Sequence, residues 1–378
     1  MKKFIHLPLA LLAAAAMTAC GVAPTAGPQA TAAQASAARV SREAIAPALY
    51  ELAYSARQNV VFVNSAGGFG AGAPASKVVV LDPQTLAVKR EIPLERKGFG
   101  MALDDAANRL YIGHTVDASV TVIDTVSGKA IKTIQLAGKV KGPDGKEAYA
   151  HHFRQLVLDP ANNRLYSPGL SSAGSSLYVV DTRKLEVEKV IPGFGSVATG
   201  IAMDPAGKRL FVSNMRGGLY EVNTSDLSIR QSRVVAADQM LNLAYDAQGK
   251  RLFAVDQGLA SISERREKAE PGFKATPGNR VVVFEADTGR IITSLPTGAG
   301  PIAPLFDASR KRLYVTNRAA GTVSVFDTVS NQLLQTIALP THPNSLALDA
   351  RNNVLYVSVK SGAGDEKGGK EHVVRIAF

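Results

Sequence analysis

Apolar and polar residues alternate along most of this chain in short runs. Val, Ile, Leu, Tyr, Phe and Thr fill the runs, and Gly, Asn, Asp and Pro separate them. Alternation by two over such lengths predicts β-strands with one face turned each way. Residues 312–349 display the unit in full, with β-type runs at 313–316, 322–326, 332–338 and 345–348. Four antiparallel strands of this kind predict one blade of a β-propeller.

The unit recurs. Aligned on its Leu-Tyr-Val strand, the chain offers Val61, Leu110, Leu165, Leu210, Leu252, Leu313 and Leu355, at spacings of 49, 55, 45, 42, 61 and 42 residues. Periods of this size mark propellers. The expected fold is all-β: a single seven-bladed propeller of four-stranded blades over residues 40–378. Two turns repeat within the units. One follows the innermost strand, as at Asp104, Asp159, Asp204, Asp246, Asp307 and Asp349. The other follows the third strand, as at Asp82, Asp124, Asp181, Asn223, Glu285 and Asp327. Such side chains close turns by accepting backbone N–H bonds, so these acids are read as turn formers and not as catalytic groups. The last unit supplies only two strands after Leu348, and residues 41–45 supply an outer strand that would close the ring and remove its open edges.

The N-terminus breaks the pattern. Lys2 and Lys3 precede an apolar stretch over residues 4–17, then Thr18, Ala19, Cys20 and Gly21. This resembles a bacterial lipoprotein signal, with Met17 where Leu is usual. Residues 1–20 are therefore expected to be a signal peptide, with Cys20, the one cysteine of the chain, as the lipidation site. Residues 21–39, rich in Ala, Pro, Thr and Gln, are expected to form a disordered tether. The expected location is periplasmic and lipid-anchored, at the outer membrane.

Formal net charge is +11, or +9 without the leader lysines. That favours an anionic partner without choosing one. Longer and variable loops fall at one end, here called the top: 64–77, 137–154, 169–176, 256–280 and 361–372. Two places before the first large residue of each innermost strand stand Tyr50, Phe99, Arg154, Thr199, Leu241, Ile302 and Asn344, which should ring the mouth of the central channel. The candidate ligand-binding residues are Tyr50, Phe99, His152, Phe153, Arg154, Arg216, Arg318, His342, Asn344 and Lys360. Basic groups beside aromatic platforms suit single-stranded nucleic acid. His114, His152 and His342 fall on blades two, three and seven, so a three-histidine metal site is not expected; no metal and no cofactor are expected. No nucleophile elbow, phosphate loop or haem-attachment motif occurs.

Tyr314-Val315-Thr316-Asn317 is the literal signature of the YVTN-repeat seven-bladed β-propeller family. The chain resembles that family from about Tyr54 to Phe378, most specifically at residues 341–348, 355–360, 373–376 and 98–100. The resemblance implies a non-enzymatic periplasmic protein that binds single-stranded DNA. The expected function is a binding or scaffold module, monomeric, engaging lipid through Cys20 and a single-stranded nucleic acid, another polyanion or envelope proteins through its top face. The alternatives are a lactonase-type hydrolase at the channel mouth and a purely structural scaffold.

Overall fold

The computed structural model describes residues 38–142 and 145–378. The expectations for Cys20, the signal peptide and most of the tether lie outside the described residues. Strands group into seven antiparallel blades. Blades one to six span residues 49–93, 100–135, 152–192, 198–234, 240–296 and 301–338. The seventh runs from its innermost strand, His342–Asp349, through Val354–Lys360 and Glu371–Ala377 to Arg39–Ala46. That last strand pairs antiparallel with Glu371–Ala377, with Arg39 opposite Ala377 and Ala46 opposite Glu371. The ring thus closes by an N-terminal strand, as the sequence predicts.

Residues 312–349 are not one blade. Blade six begins at Pro301–Asp307, and His342–Asp349 opens blade seven. Any four successive runs look alike in sequence. Only the hydrogen-bonded ladders show which four belong to one sheet.

The core lies between blades rather than within one. Seven buried apolar clusters occupy the seven blade interfaces. A dipeptide on each second strand links them. Leu110 packs toward blade one and Tyr111 toward blade three. Leu165 with Tyr166, Leu210 with Phe211, Leu252 with Phe253, Leu313 with Tyr314 and Leu355 with Tyr356 divide in the same sense. Successive side chains on a strand face opposite ways, so one Leu–aromatic pair serves two interfaces.

The bottom turns are built as expected. Asp104, Asp159, Asp204, Asp246, Asp307 and Asp349 each accept a backbone N–H two or three residues on. The residue before each second strand is left-handed: Asn59, Asn108, Asn163, Lys208, Lys250, Lys311 and Asn353, with φ between 48° and 55°. From these turns a side chain reaches the next blade at every interface. Arg109 donates to the Thr182 carbonyl at 2.6 Å, Arg164 to that of Thr224 at 2.7 Å and Arg251 to that of Thr328 at 2.5 Å. Arg209 meets Asp287, Gln58 the Thr125 hydroxyl, Arg310 the Ala350 carbonyl and Arg375 the Pro83 carbonyl.

The top of the seam between blades seven and one carries a buried ion pair. Lys360 Nζ lies 3.2 Å from Glu371 Oε2 and donates to the Leu49 carbonyl at 2.7 Å. Glu371 in turn accepts the N–H groups of Leu49 and Ser361. Burial holds the Lys360 ammonium below its ordinary range, and Glu371 opposes that shift.

The 256–280 segment, which the sequence marks as a long top loop, holds a helix, Ala260–Ala269. Few apolar residues mark that helix, and contacts to the body fix the segment. Arg266 pairs with Asp238 at 3.2 Å and covers the Phe273 ring at 3.8 Å, while Arg280 pairs with Asp256 at 3.0 Å. The 137–154 connection likewise holds a small hairpin, Lys139–Lys141 with Glu147–Tyr149. Among the described residues no helix is long and apolar enough to cross a membrane.

Lys360→Met should cost about 3 kcal/mol, because it leaves the Glu371 charge buried without its partner. Adding Glu371→Gln should recover most of that loss; urea unfolding midpoints measure both. At the exposed left-handed site with φ 51°, Lys208→Asn should raise stability by roughly 0.5 kcal/mol in the same assay, since Asn tolerates that backbone better.

Candidate functional site

The channel mouth forms a cavity of about 360 Å³ lined by Tyr50, Glu51, Phe99, Thr115, Arg154, Leu241, Gln257, Ile302, Arg318 and Asn344. Six of the seven positions expected in the ring are present. Thr199 is the exception: it is buried, and its hydroxyl donates to the Met240 carbonyl of the next blade at 3.1 Å.

A local irregularity accompanies most of these positions. The innermost strands slip register at 49/52 in blade one, 240/243 in blade five, 301/304 in blade six and 343/345 in blade seven; blade four slips at 198/200 too, but there Thr199 turns to the next blade. In blade three the strand is interrupted, into His152–Phe153 and Val157–Asp159, and Arg154 stands in the break. A bulge adds a residue that the partner strand does not match, and it redirects side chains. In blade one it brings both Tyr50 and Glu51 to the channel. Strict alternation would send one of them away, which is why Glu51 was missed. The available signal was an acid beside a ring position and outside every turn.

The electrostatics are uneven. Among the described residues, neither the Arg154 nor the Arg318 guanidinium makes a hydrogen bond or ion pair. Burial holds Arg154 below its ordinary range, with Glu51 opposing and Arg318 adding to the shift. Glu51 lines the cavity but is enclosed by protein. That loss of solvation pushes its carboxyl up to about 7, against the pull of Arg154. The Tyr50 hydroxyl is also pushed up by burial and by Glu371. The Asn344 and Gln257 side chains accept and donate nothing among the described residues, although both are largely buried.

An aromatic run leads outward. Tyr50 meets Phe99 edge-on at 4.7 Å, and Phe99 lies roughly parallel to Phe69 at 6.1 Å. Lys97 sits over Phe69 and Lys360 over Tyr50, at 5.3 and 3.9 Å. Phe69 is 61% exposed, on the Gly-rich loop that walls a shallower depression of about 960 Å³ between blades one and seven.

The remaining candidates fall elsewhere. Phe153 is buried in the blade-three interface, edge-on to Tyr178 at 4.8 Å, so it serves the core. Lys360 is spent on the seam. Arg216 is ion-paired with Glu270 and lines a separate cleft beneath the helix with Val197, Met215 and Ile262. His152 and His342 occupy equivalent places and do equivalent work: each Nδ1 bonds a carbonyl of the preceding blade, Thr115 at 3.0 Å and Arg318 at 2.9 Å. They position mouth residues rather than line the mouth. His114 is buried between the Lys97 carbonyl and the Thr121 hydroxyl. Among the described residues no three metal-ligating side chains converge. The helix of the 256–280 segment stands clear of the mouth, to which that segment contributes only Gln257.

No family model matches the chain. YncE of Salmonella typhimurium is 30% identical over 343 residues, covering 89% of this chain and 90% of its own. YncE of Escherichia coli is 31% identical over 346 residues, with the same coverage. Among solved structures, hydrazine synthase of Kuenenia stuttgartiensis superposes with a TM-score of 0.67 at 16% identity, over 83% of this chain and 93% of that one, a likeness of fold alone. Sequence relationship across nearly the whole length and a seven-bladed ring agree: the chain belongs to the YncE family of β-propellers.

Proposed function

We propose that the protein is a non-enzymatic binding module of the cell envelope, held to the outer membrane by lipid on Cys20, whose top face engages an extended polyanion. Single-stranded nucleic acid is the ligand class that best fits both halves of the surface. One observation carries the reading: two half-buried guanidiniums without acceptors share the channel mouth with the inner end of an aromatic run that continues to exposed Phe69. Guanidiniums grip phosphate oxygens, and successive bases stack on aromatic faces. The surplus of Lys and Arg over Asp and Glu, 43 against 32, supports the same partner by long-range attraction.

The anchor rests on the sequence. Cys20 follows small residues and an apolar stretch, and no other thiol competes for acylation.

An oligothymidylate should bind with an affinity that falls by at least about tenfold between about 50 and about 200 mM salt. Phe99→Ala combined with Arg154→Ala should remove most of that affinity. Salt-independent binding, or binding that survives the double variant, would count against the reading. Separately, Cys20→Ser should move the protein from the membrane fraction to the soluble periplasmic fraction and abolish labelling by a radioactive fatty acid.

A further inference from the structure

The molecule uses its guanidiniums economically. Most of those half-buried at the bottom or under the helix are matched: Arg109, Arg164 and Arg251 to carbonyls, Arg209, Arg266 and Arg280 to carboxylates, while Arg312 covers the Phe378 ring at 5.8 Å. Arg154 and Arg318 stand apart from that pattern. They reach one cavity from blades three and six, and neither meets an acceptor among the described residues. Removing a guanidinium from bulk water without supplying an acceptor is unfavourable, and an incoming oxyanion reverses that cost. The Asn344 and Gln257 amides, also without partners, bring further donors from blades seven and five. Between them the lining is apolar: Phe99, Leu241 and Ile302. A volume of about 360 Å³ is at the small end for a ligand site, so it takes an end group and not a length of chain.

We propose that the channel mouth is a discrete pocket for the terminal oxyanion of a ligand, a phosphate or carboxylate group gripped between Arg154 and Arg318 and steadied by the Asn344 and Gln257 amides, with the attached planar or apolar body lying toward Phe99. This rests on the reading of the top face as an anion-binding surface, and it narrows that surface to one end group.

Glu51 gives the pocket a proton dependence. The charged and titratable groups around it are Arg154 from blade three, Arg318 from blade six, Tyr50 on its own strand, and the Lys360–Glu371 pair of blade seven, which acts through Tyr50. With Glu51 neutral, two guanidiniums face the ligand unopposed. As its carboxyl ionises around pH 7, a negative charge enters the pocket and repels the anion. Anion affinity should therefore fall as pH rises.

The test titrates the full chain with sulfate, inorganic phosphate and benzoate. It adds a matched pair of oligothymidylates, one with and one without a terminal phosphate. Sulfate keeps its charge across neutral pH, so any pH dependence belongs to the protein. At least one of the three small anions should bind saturably. Arg154→Met and Arg318→Met should each weaken that binding by about tenfold or more, with circular dichroism confirming that both variants keep the ring. Sulfate should bind several-fold more weakly at about pH 8 than at about pH 6, and Glu51→Gln should remove the difference. Saturable binding by none of the small anions, or binding that is unchanged in both folded variants, would overturn the proposal. If the small anions bind and neither oligonucleotide does, the end-group pocket stands and the polyanion reading falls. If both oligonucleotides bind equally and the small anions do not, the reverse holds.

Discussion

Everything in this molecule depends on the interface between neighbouring blades. Each blade is a thin sheet that must bury both faces, and each face meets a different partner. The Leu–aromatic dipeptide on the second strand meets that demand with two adjacent residues, because the pleat sends them to opposite sides. At the bottom, at least one side chain from each blade bonds the next. The Asp turns serve that arrangement. Asp204 and Asp246, for example, hold Arg209 and Arg251, each at 2.8 Å, while those same guanidiniums reach onward to the next blade. Apolar packing between blades and polar clasps beneath them leave the top free to vary.

The sequence makes the ring legible because the ring is a repeat. Leu-Tyr-Val strands and Asp turns recur at readable intervals. Tyr50, Phe99, Arg154, Leu241, Ile302 and Asn344 could be placed at the mouth by register alone. The misses have a common physical origin. Register gives a side chain's height and face but not its partner. Lys360 has the right height, yet Glu371 claims it across the seam. Arg216 is claimed by Glu270, which stands at the end of a helix that composition did not announce. Phe153 lies one place from Arg154 and points into the core. Glu51 was missed for the opposite reason, since a bulge put it where strict alternation does not.

The same residue type therefore does different work at the two ends of the ring. Arginine at the bottom is structural, with its donors aimed at carbonyls of the neighbouring blade. Arginine at the mouth is left with donors that meet no protein acceptor among the described residues. Histidine divides similarly: His114 is enclosed, while His152 and His342 brace the loops that carry Thr115 and Arg318. Shape alone would not separate these roles. Partnership does, and it turns a ring of similar positions into one polar site with an apolar wall.

The seam has a consequence for how the molecule is made. Residues 39–46 must wait, without a partner, until residues 371–377 have been synthesised. Six blades can stack as they emerge, since their strands are neighbours in sequence, but the seventh cannot be completed during that period. Until that pairing forms, the arc presents an unpaired strand edge and an uncovered apolar face, the features that invite association with other chains. The Lys360–Glu371 pair and the strand of residues 39–46 act together at the moment of closure. Closure of the ring thus depends on one long-range pairing, and that pairing covers the open edge.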